Sequence, residues 1–215
     1  MTTGSGPCEL LHKVLVIGES GTGKTCLIRR YVHGIFQGTN KATIGLEFEL
    51  RQIWDLPVLS PNNRSITLQI WDIGLERYGQ MTRVYYQAAV GAMVVCDVLR
   101  PETMELAIKW KMDLDSKVFL GSTGKTIPCV LLVNKCDLGP LQKTKEEMDA
   151  FCREHGFVGW FETSAKDGKN VAQAFNALVE QVQLATSDVP EEKKAPTVKP
   201  GPRGGNTTRK DKCEC

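Results

Sequence analysis

The chain of 215 residues has no long hydrophobic run. Its longest apolar stretches, Gly91–Val95 and Cys129–Val133, fall far short of the about 18 residues a bilayer crossing requires. The opening, Met1–Gly6, has neither the basic start nor the apolar middle of a signal peptide, so export is not expected. Thr2 stands where N-myristoylation needs glycine. Charge of one sign is also scarce. A net charge of +2 supplies no field for nucleic acid, and no such partner is expected. Among the 8 cysteines, no pair inside the predicted domain has zinc-ligand spacing. Scattered thiols in a chain without a signal fit a reducing cytosol. No internal repeat is visible.

What is present is ordinary for a soluble globular protein, with 41% apolar and 24% charged residues. The length suits one domain with extensions. Short apolar runs at Lys13–Ile17, Ala92–Val98, Pro128–Val133 and Gly159–Glu162 read as buried strands. Leu46–Trp54 and Ile66–Trp71 alternate and predict a strand pair joined by the turn-rich Leu56–Ser65. That connection is either a plain hairpin extension or a partner surface. Helical spacing covers Cys26–Val32, Glu102–Val118, Lys145–His155 and Val171–Leu184. Strands alternating with helices predict an α/β fold, a mostly parallel sheet with helices on both faces. From Thr186 onward the chain is rich in Pro, Gly, Lys and Thr and reads as a disordered tail. The expected organisation is an N-terminal extension over 1–10, a domain over 11–185 and a tail over 186–215.

Two motifs carry chemistry. Gly18-Glu19-Ser20-Gly21-Thr22-Gly23-Lys24-Thr25 fits the phosphate loop G-x-x-x-x-G-K-[ST], directly after a predicted strand and opening a predicted helix. Its glycines let backbone N–H groups converge on phosphate oxygens, and the helix start adds its positive dipole end. Lys24 would bridge the outer phosphates, and the Thr25 hydroxyl would ligate Mg²⁺. The second motif, Asn134-Lys135-Cys136-Asp137, follows the strand ending at Val133. Its carboxylate can accept from the two N–H donors on the edge of guanine, a pair that adenine lacks. Thr163-Ser164-Ala165-Lys166 completes the pattern, with the Ala165 N–H available to the guanine O6 oxygen. A nucleotide kinase on the same loop conflicts with Asn134–Asp137 and lacks an Arg-rich lid segment.

The order of phosphate loop, Ala42-Thr43-Ile44-Gly45, Trp71-Asp72-Ile73, the Asn134–Asp137 motif and Glu162–Lys166 resembles the Rab branch of the Ras-superfamily small GTPases. The likeness runs from about Leu11 to Leu184. Arg30–His33, Met81–Tyr86, Lys109–Lys111, Asp113–Lys117 and Glu154–Phe161 are similar to the Rab subgroup of melanosomes and other lysosome-related organelles, and Ile73 also fits it. The resemblance implies a six-stranded P-loop small-GTPase fold and a switch that binds GTP or GDP with Mg²⁺. It assigns Ser20, Gly21, Thr22, Gly23, Lys24, Thr25 and Cys26 to the phosphates, and Phe36 to a position near the guanine. Asn134, Lys135, Asp137, Ser164, Ala165 and Lys166 fall on the base. Thr25, Thr43 and Asp72 fall on the metal, Gly74 on the γ-phosphate, and Phe48, Trp71 and Tyr85 on an aromatic triad that meets effectors. For Phe48 and Trp71, ordinary strand packing is an equal reading. Implied partners are effectors, an exchange factor, an activating protein, a GDP-dissociation inhibitor and a Rab escort protein, with the protein otherwise a monomer.

One segment departs from the family. W-D-x-A-G-Q-E-R becomes Trp71-Asp72-Ile73-Gly74-Leu75-Glu76-Arg77, one residue short and without glutamine. Leu75 falls where the glutamine would orient the attacking water, and leucine has neither donor nor acceptor. The expectation is impaired hydrolysis, or a GTP-bound adaptor that does not cycle. Gly74 either still reaches the γ-phosphate, giving a slow switch, or does not, giving a switch II that responds weakly. The chain closes on Cys213-Glu214-Cys215, which composition allows to be loose thiols, a poor metal pair or lipidation sites. It matches the C-x-C ending on which Rabs receive two geranylgeranyl groups. Two lipids anchor stably where one does not. The implied location is the cytosolic face of an endomembrane, a lysosome or related organelle, with a cytosolic pool on a carrier protein.

Overall fold

A computed structural model describes residues 10–38, 46–53, 65–74, 82–121 and 123–187. Thr43, Leu75, Cys213, Cys215, Trp54 and the Leu56–Ser65 connection up to its last residue lie outside the described residues.

The elements run β1 (Leu10–Ile17), α1 (Lys24–His33), β2 (Leu46–Ile53), β3 (Ile66–Ile73), α2 (Thr82–Tyr86), β4 (Ala89–Asp97), α3 (Glu102–Asp115), β5 (Cys129–Asn134), α4 (Lys145–His155), β6 (Gly159–Glu162) and α5 (Val171–Ser187). They form a six-stranded sheet in the order β2-β3-β1-β4-β5-β6. Among the described strands, only β2 is antiparallel to its neighbour, β3. The remaining pairs are parallel. This is the α/β, mostly parallel six-stranded architecture expected above.

Alternation along the strands makes two cores. Val14 and Val16 of β1 face a layer that includes Leu27, Ile28 and Tyr31 of α1 and Phe175, Leu178 and Val182 of α5. Leu15 and Ile17 face the other side, toward Tyr86 of α2, Trp110 and Leu114 of α3, and Met148 and Cys152 of α4. Both faces of the central strands are therefore dry, which explains why they read as continuous apolar runs. Tyr31 and Phe175 stack with ring centroids 3.9 Å apart, joining α1 to α5.

Boundaries moved for local reasons. β1 begins at Leu10 because Leu10–His12 pair with Ile66–Leu68, extending the strand beyond its apolar run. α3 stops at Asp115, short of Val118, where the N–H groups of Lys117 and Val118 both fold back onto the Leu114 carbonyl. α5 continues to Ser187, past Leu184 where the helical spacing ends, with the Thr186 hydroxyl on the Val182 carbonyl at 2.8 Å. The five-residue helix α2 was not expected from periodicity.

Candidate functional site

The site gathers at the carboxyl ends of the parallel strands, where open α/β sheets bind ligands. β1 delivers the phosphate loop. Gly18 has φ +135°, and a Cβ there would sit 2.3 Å from the Val95 carbonyl oxygen, so no other residue fits. Gly23, at φ +95°, caps α1 without any side-chain hydrogen bond. A helix that starts on a glycine, with no side chain at the cap position, suits an anion there. The buried Lys24 ammonium donates to the carbonyls of Gly18 at 2.8 Å and Glu19 at 3.0 Å, which holds it inside the curl of the loop.

β3 delivers Asp72. The Thr25 hydroxyl donates to Asp72 Oδ2. Asp72 Oδ1 is buried and takes no hydrogen bond among the described residues. Burial pushes this carboxyl above the usual carboxylate range, against the pull of the Thr25 hydroxyl and the Lys24 charge. Gly74 follows directly on β3. Cys26 is half-buried, its Sγ 3.7 Å from the Gln37 carbonyl, and burial raises its thiol. Phe36 lies on the loop after α1 and is 40% exposed.

β5 delivers the second motif. Asn134, almost fully buried, donates through Nδ2 to the Thr22 carbonyl at 2.8 Å, which ties the two motifs together. Its Oδ1 accepts from the Thr163 hydroxyl and the Ala165 N–H, each at 3.3 Å. Ser164 Oγ donates to Asp137 Oδ1 at 2.8 Å, and Lys166 Nζ lies 3.9 Å from Asp137 Oδ2. Lys135 adopts φ +66°, an uncommon state for a non-glycine residue, and its ammonium reaches Asp97 Oδ2 at 2.8 Å.

The structure therefore brings Ser20–Cys26, Asp72, Asn134, Lys135, Asp137 and Ser164–Lys166 to one end of the sheet. Phe48 and Trp71 sit elsewhere, paired across β2 and β3 with centroids 5.8 Å apart. Phe48 is 55% exposed, and Lys13 Nζ stands 3.8 Å from the Trp71 ring centroid. Tyr85, on α2, is half-buried against the core on that side.

Several supporting residues were given no role in the site by the sequence. Trp110 Nε1 donates to Glu19 Oε1 at 3.1 Å, bracing the phosphate loop from α3. Arg100 joins Asp97 Oδ2 at 3.1 Å to the Ser20 carbonyl at 2.9 Å. Arg30 holds the Ala165 carbonyl at 2.7 Å and the Lys166 carbonyl at 2.5 Å. The contacts of Trp110, Arg30 and Arg100 with Glu19, Ala165 and Ser20 each join segments far apart in the chain, so no local pattern announces them.

A phosphate loop laced through an asparagine to a second loop on the same parallel sheet defines a P-loop nucleotide switch domain. Residues 13–184 match the profile of the Ras family, and the chain belongs to that family. It is 51% identical to Ras-related protein Rab-32A of Dictyostelium discoideum over 178 residues, covering 81% of this chain and 78% of the relative. Against Ras-related protein Rab-32 of Homo sapiens it is 51% identical over 187 residues, 86% of this chain and 80% of the relative. Against Ras-related protein Rab-7L1 of Homo sapiens the identity is 40% over 187 residues, 86% of this chain and 89% of the relative. The chain is thus a Rab-type small GTPase domain, a class that binds guanine nucleotide and works through effectors and regulators.

Proposed function

We propose that this chain is a membrane-tethered Rab switch of the lysosome-related-organelle subgroup, which binds GTP or GDP with Mg²⁺ and hydrolyses GTP slowly. The observation that carries the nucleotide reading is the Asn134 bridge. It joins a loop suited to phosphate to a loop suited to guanine, at 2.8 Å. Lys24 is set to meet the outer phosphates, and Asp137 to accept from the base.

The donor set fits a hard divalent cation. Asp72 Oδ1 is a buried oxygen without a partner among the described residues, beside the Thr25 hydroxyl. Oxygen ligands of this kind suit Mg²⁺. Thr25 and Asp72 would hold the ion, with Thr43 from the stretch of sequence between α1 and β2, and the ion would neutralise phosphate charge. Phe48, exposed and stacked on Trp71, supports an effector surface completed by Tyr85.

The slow turnover rests on Leu75 and the missing residue beside it. Relatives with an intact glutamine are already slow alone, on the order of 10⁻⁴ s⁻¹, and activating partners accelerate them by roughly 10⁵. Single-turnover hydrolysis of [γ-³²P]GTP tests the reading, with and without a Rab-directed activating protein. An intrinsic rate equal to that of glutamine-bearing Rabs would sink it. The same two features favour a second reading, a GTP-bound adaptor that does not cycle. A hydrolysis rate indistinguishable from zero in both arms would select it.

Cys213 and Cys215 are proposed to carry two prenyl groups that hold the protein on the cytosolic face of a lysosome-related membrane. Among the described residues no helix is long and apolar enough to cross a membrane. A GDP-dissociation inhibitor and an escort protein would shield the lipids in the cytosol. Replacing both cysteines with serine should leave the protein soluble in a cell fractionation.

A further inference from the structure

Arg30 lies on α1, the helix that opens with Lys24 and Thr25. Its guanidinium is engaged on three sides. Nε donates to the Ala165 carbonyl at 2.7 Å and Nη2 to the Lys166 carbonyl at 2.5 Å. Nη1 donates to the Gly34 carbonyl at 2.6 Å, where α1 ends. Gly34 closes the same ring by donating its N–H to the Arg30 carbonyl at 3.0 Å.

The two peptide planes that follow Ala165 are therefore fixed from α1. On the other side, the Ser164 carbonyl accepts the Gly168 N–H at 2.8 Å, and Ser164 Oγ is on Asp137. The Ala165 N–H itself is only loosely engaged, at 3.3 Å from Asn134 Oδ1. This buried donor shares its peptide plane with the Ser164 carbonyl, so its direction is set by the Gly168 bond on one side and, across the Ala165 Cα, by the planes that Arg30 holds on the other. Removing the guanidinium would release the chain after Ala165 while leaving the Asp137 side held by Ser164.

We propose that Arg30 is a positioning residue for base specificity: it aims the Ala165 N–H at the six-position oxygen of a bound guanine. This deepens, and rests on, the assignment of Asp137 and Ala165 to the base. The two halves of the base are then controlled separately. Asp137 reads the N1–H and the amino group, and Ala165, through Arg30, reads the carbonyl oxygen. Lysine cannot replace arginine here. Its single nitrogen cannot span the three carbonyls, of Gly34, Ala165 and Lys166, that the three guanidinium nitrogens hold.

The experiment compares three diphosphates on the full chain with Mg²⁺: GDP, 6-thio-GDP and IDP. Dissociation constants come from competition against a fluorescent GDP, for the wild type, Arg30→Lys and Arg30→Ala, with thermal melting recorded alongside. 6-thio-GDP keeps both donors and replaces the oxygen with a weak acceptor. IDP keeps the oxygen and loses the amino group. The wild type should prefer GDP over both. In both variants the preference over 6-thio-GDP should shrink at least about fivefold, the scale of one hydrogen bond. The preference over IDP should hold. Equal weakening of all three nucleotides, with both ratios unchanged or with binding lost altogether, would overturn the proposal and leave Arg30 a merely structural residue. A wild type that does not prefer GDP over IDP would instead remove the base assignment itself.

Discussion

Asp97 and His12 show how single buried groups set the pH behaviour of this domain. Asp97 is 5% exposed, and burial alone would raise its carboxyl. The hydrogen bond from Lys135, the Leu99 N–H and the Arg100 guanidinium outweigh burial, and the carboxyl lies below its usual range. A depressed carboxyl stabilises the fold above the unfolded value, near 3.9, and that contribution fades as pH falls through the folded one. Asp97→Asn should therefore cost about 1–2 kcal/mol at pH 7, discounted because Lys135 and Arg100 are each more than a third exposed or close to it. Urea unfolding of both proteins checks it, and the gap should narrow below about pH 4. A gap that stayed constant into acid would mean the loss is packing rather than charge. His12 works in the opposite region. It is buried against α5, and burial lowers its pKa despite a backbone hydrogen bond at Leu11. Its Nε2 lies 2.7 Å from Gln183 Nε2, a contact that needs a neutral ring accepting from the amide. The unfolded chain takes up a proton near pH 6.5 and the folded chain resists it, so stability falls as pH drops below that value. His12→Gln should flatten the stability profile between pH 7 and 5. An unchanged slope would exclude His12 as its source.

At the scale of elements, α4 shows a helix whose limits are written locally. Thr144 accepts the Glu147 N–H at 3.3 Å, and the Glu147 carboxylate accepts the Thr144 N–H at 2.7 Å, a complete capping box. Gly156, at φ +72°, closes the other end. Thr144→Ala should cost about 1 kcal/mol. For a domain of this size that lowers the melting temperature by about 3 °C, readable by circular dichroism. A loss near zero would show that packing of Met148 and Cys152 alone fixes the helix. The same locality explains what could be read in advance. The limits of α4 and β6 follow from caps and punctuation in adjacent residues, and the phosphate loop is a motif eight residues long, Gly18–Thr25. α2 spans 5 residues, too few for a 3.6-residue period to show. The supports of the site are illegible for a different reason. Arg30 meets Ala165 at a separation of 135 residues, and Trp110 meets Glu19 across 91. Nothing in a helix's own pattern marks which exposed-looking arginine will close such a distance.

At the scale of the whole molecule, three connections that carry the site leave β1, β5 and β6 and return through α1, α4 and α5, and β3 adds Asp72. Direct contacts join them in pairs: Asn134 to Thr22 and to Ala165, Ser164 to Asp137, Arg30 to Ala165, and Lys135 through Asp97 and Arg100 to Ser20. A ligand that touches all three connections adds a clamp which the chain alone does not have. Binding to the folded state only must then raise the stability of the entire sheet. At a hundredfold excess over its dissociation constant a ligand contributes about 2.7 kcal/mol. With about 2–4 °C per kcal/mol for a domain of this size, GDP with Mg²⁺ should raise the melting temperature by about 5–10 °C. ADP at the same concentration should leave it unchanged, because adenine lacks the donor pair that Asp137 is proposed to accept. Chelating Mg²⁺ should remove part of the GDP shift, because Asp72 Oδ1 would again be buried without a partner among the described residues. The three results separate the parts of the site. An equal shift from ADP would place the affinity in the phosphate loop alone and discard base reading. A GDP shift indifferent to chelation would discard Asp72 and Thr25 as metal ligands while leaving the nucleotide in place.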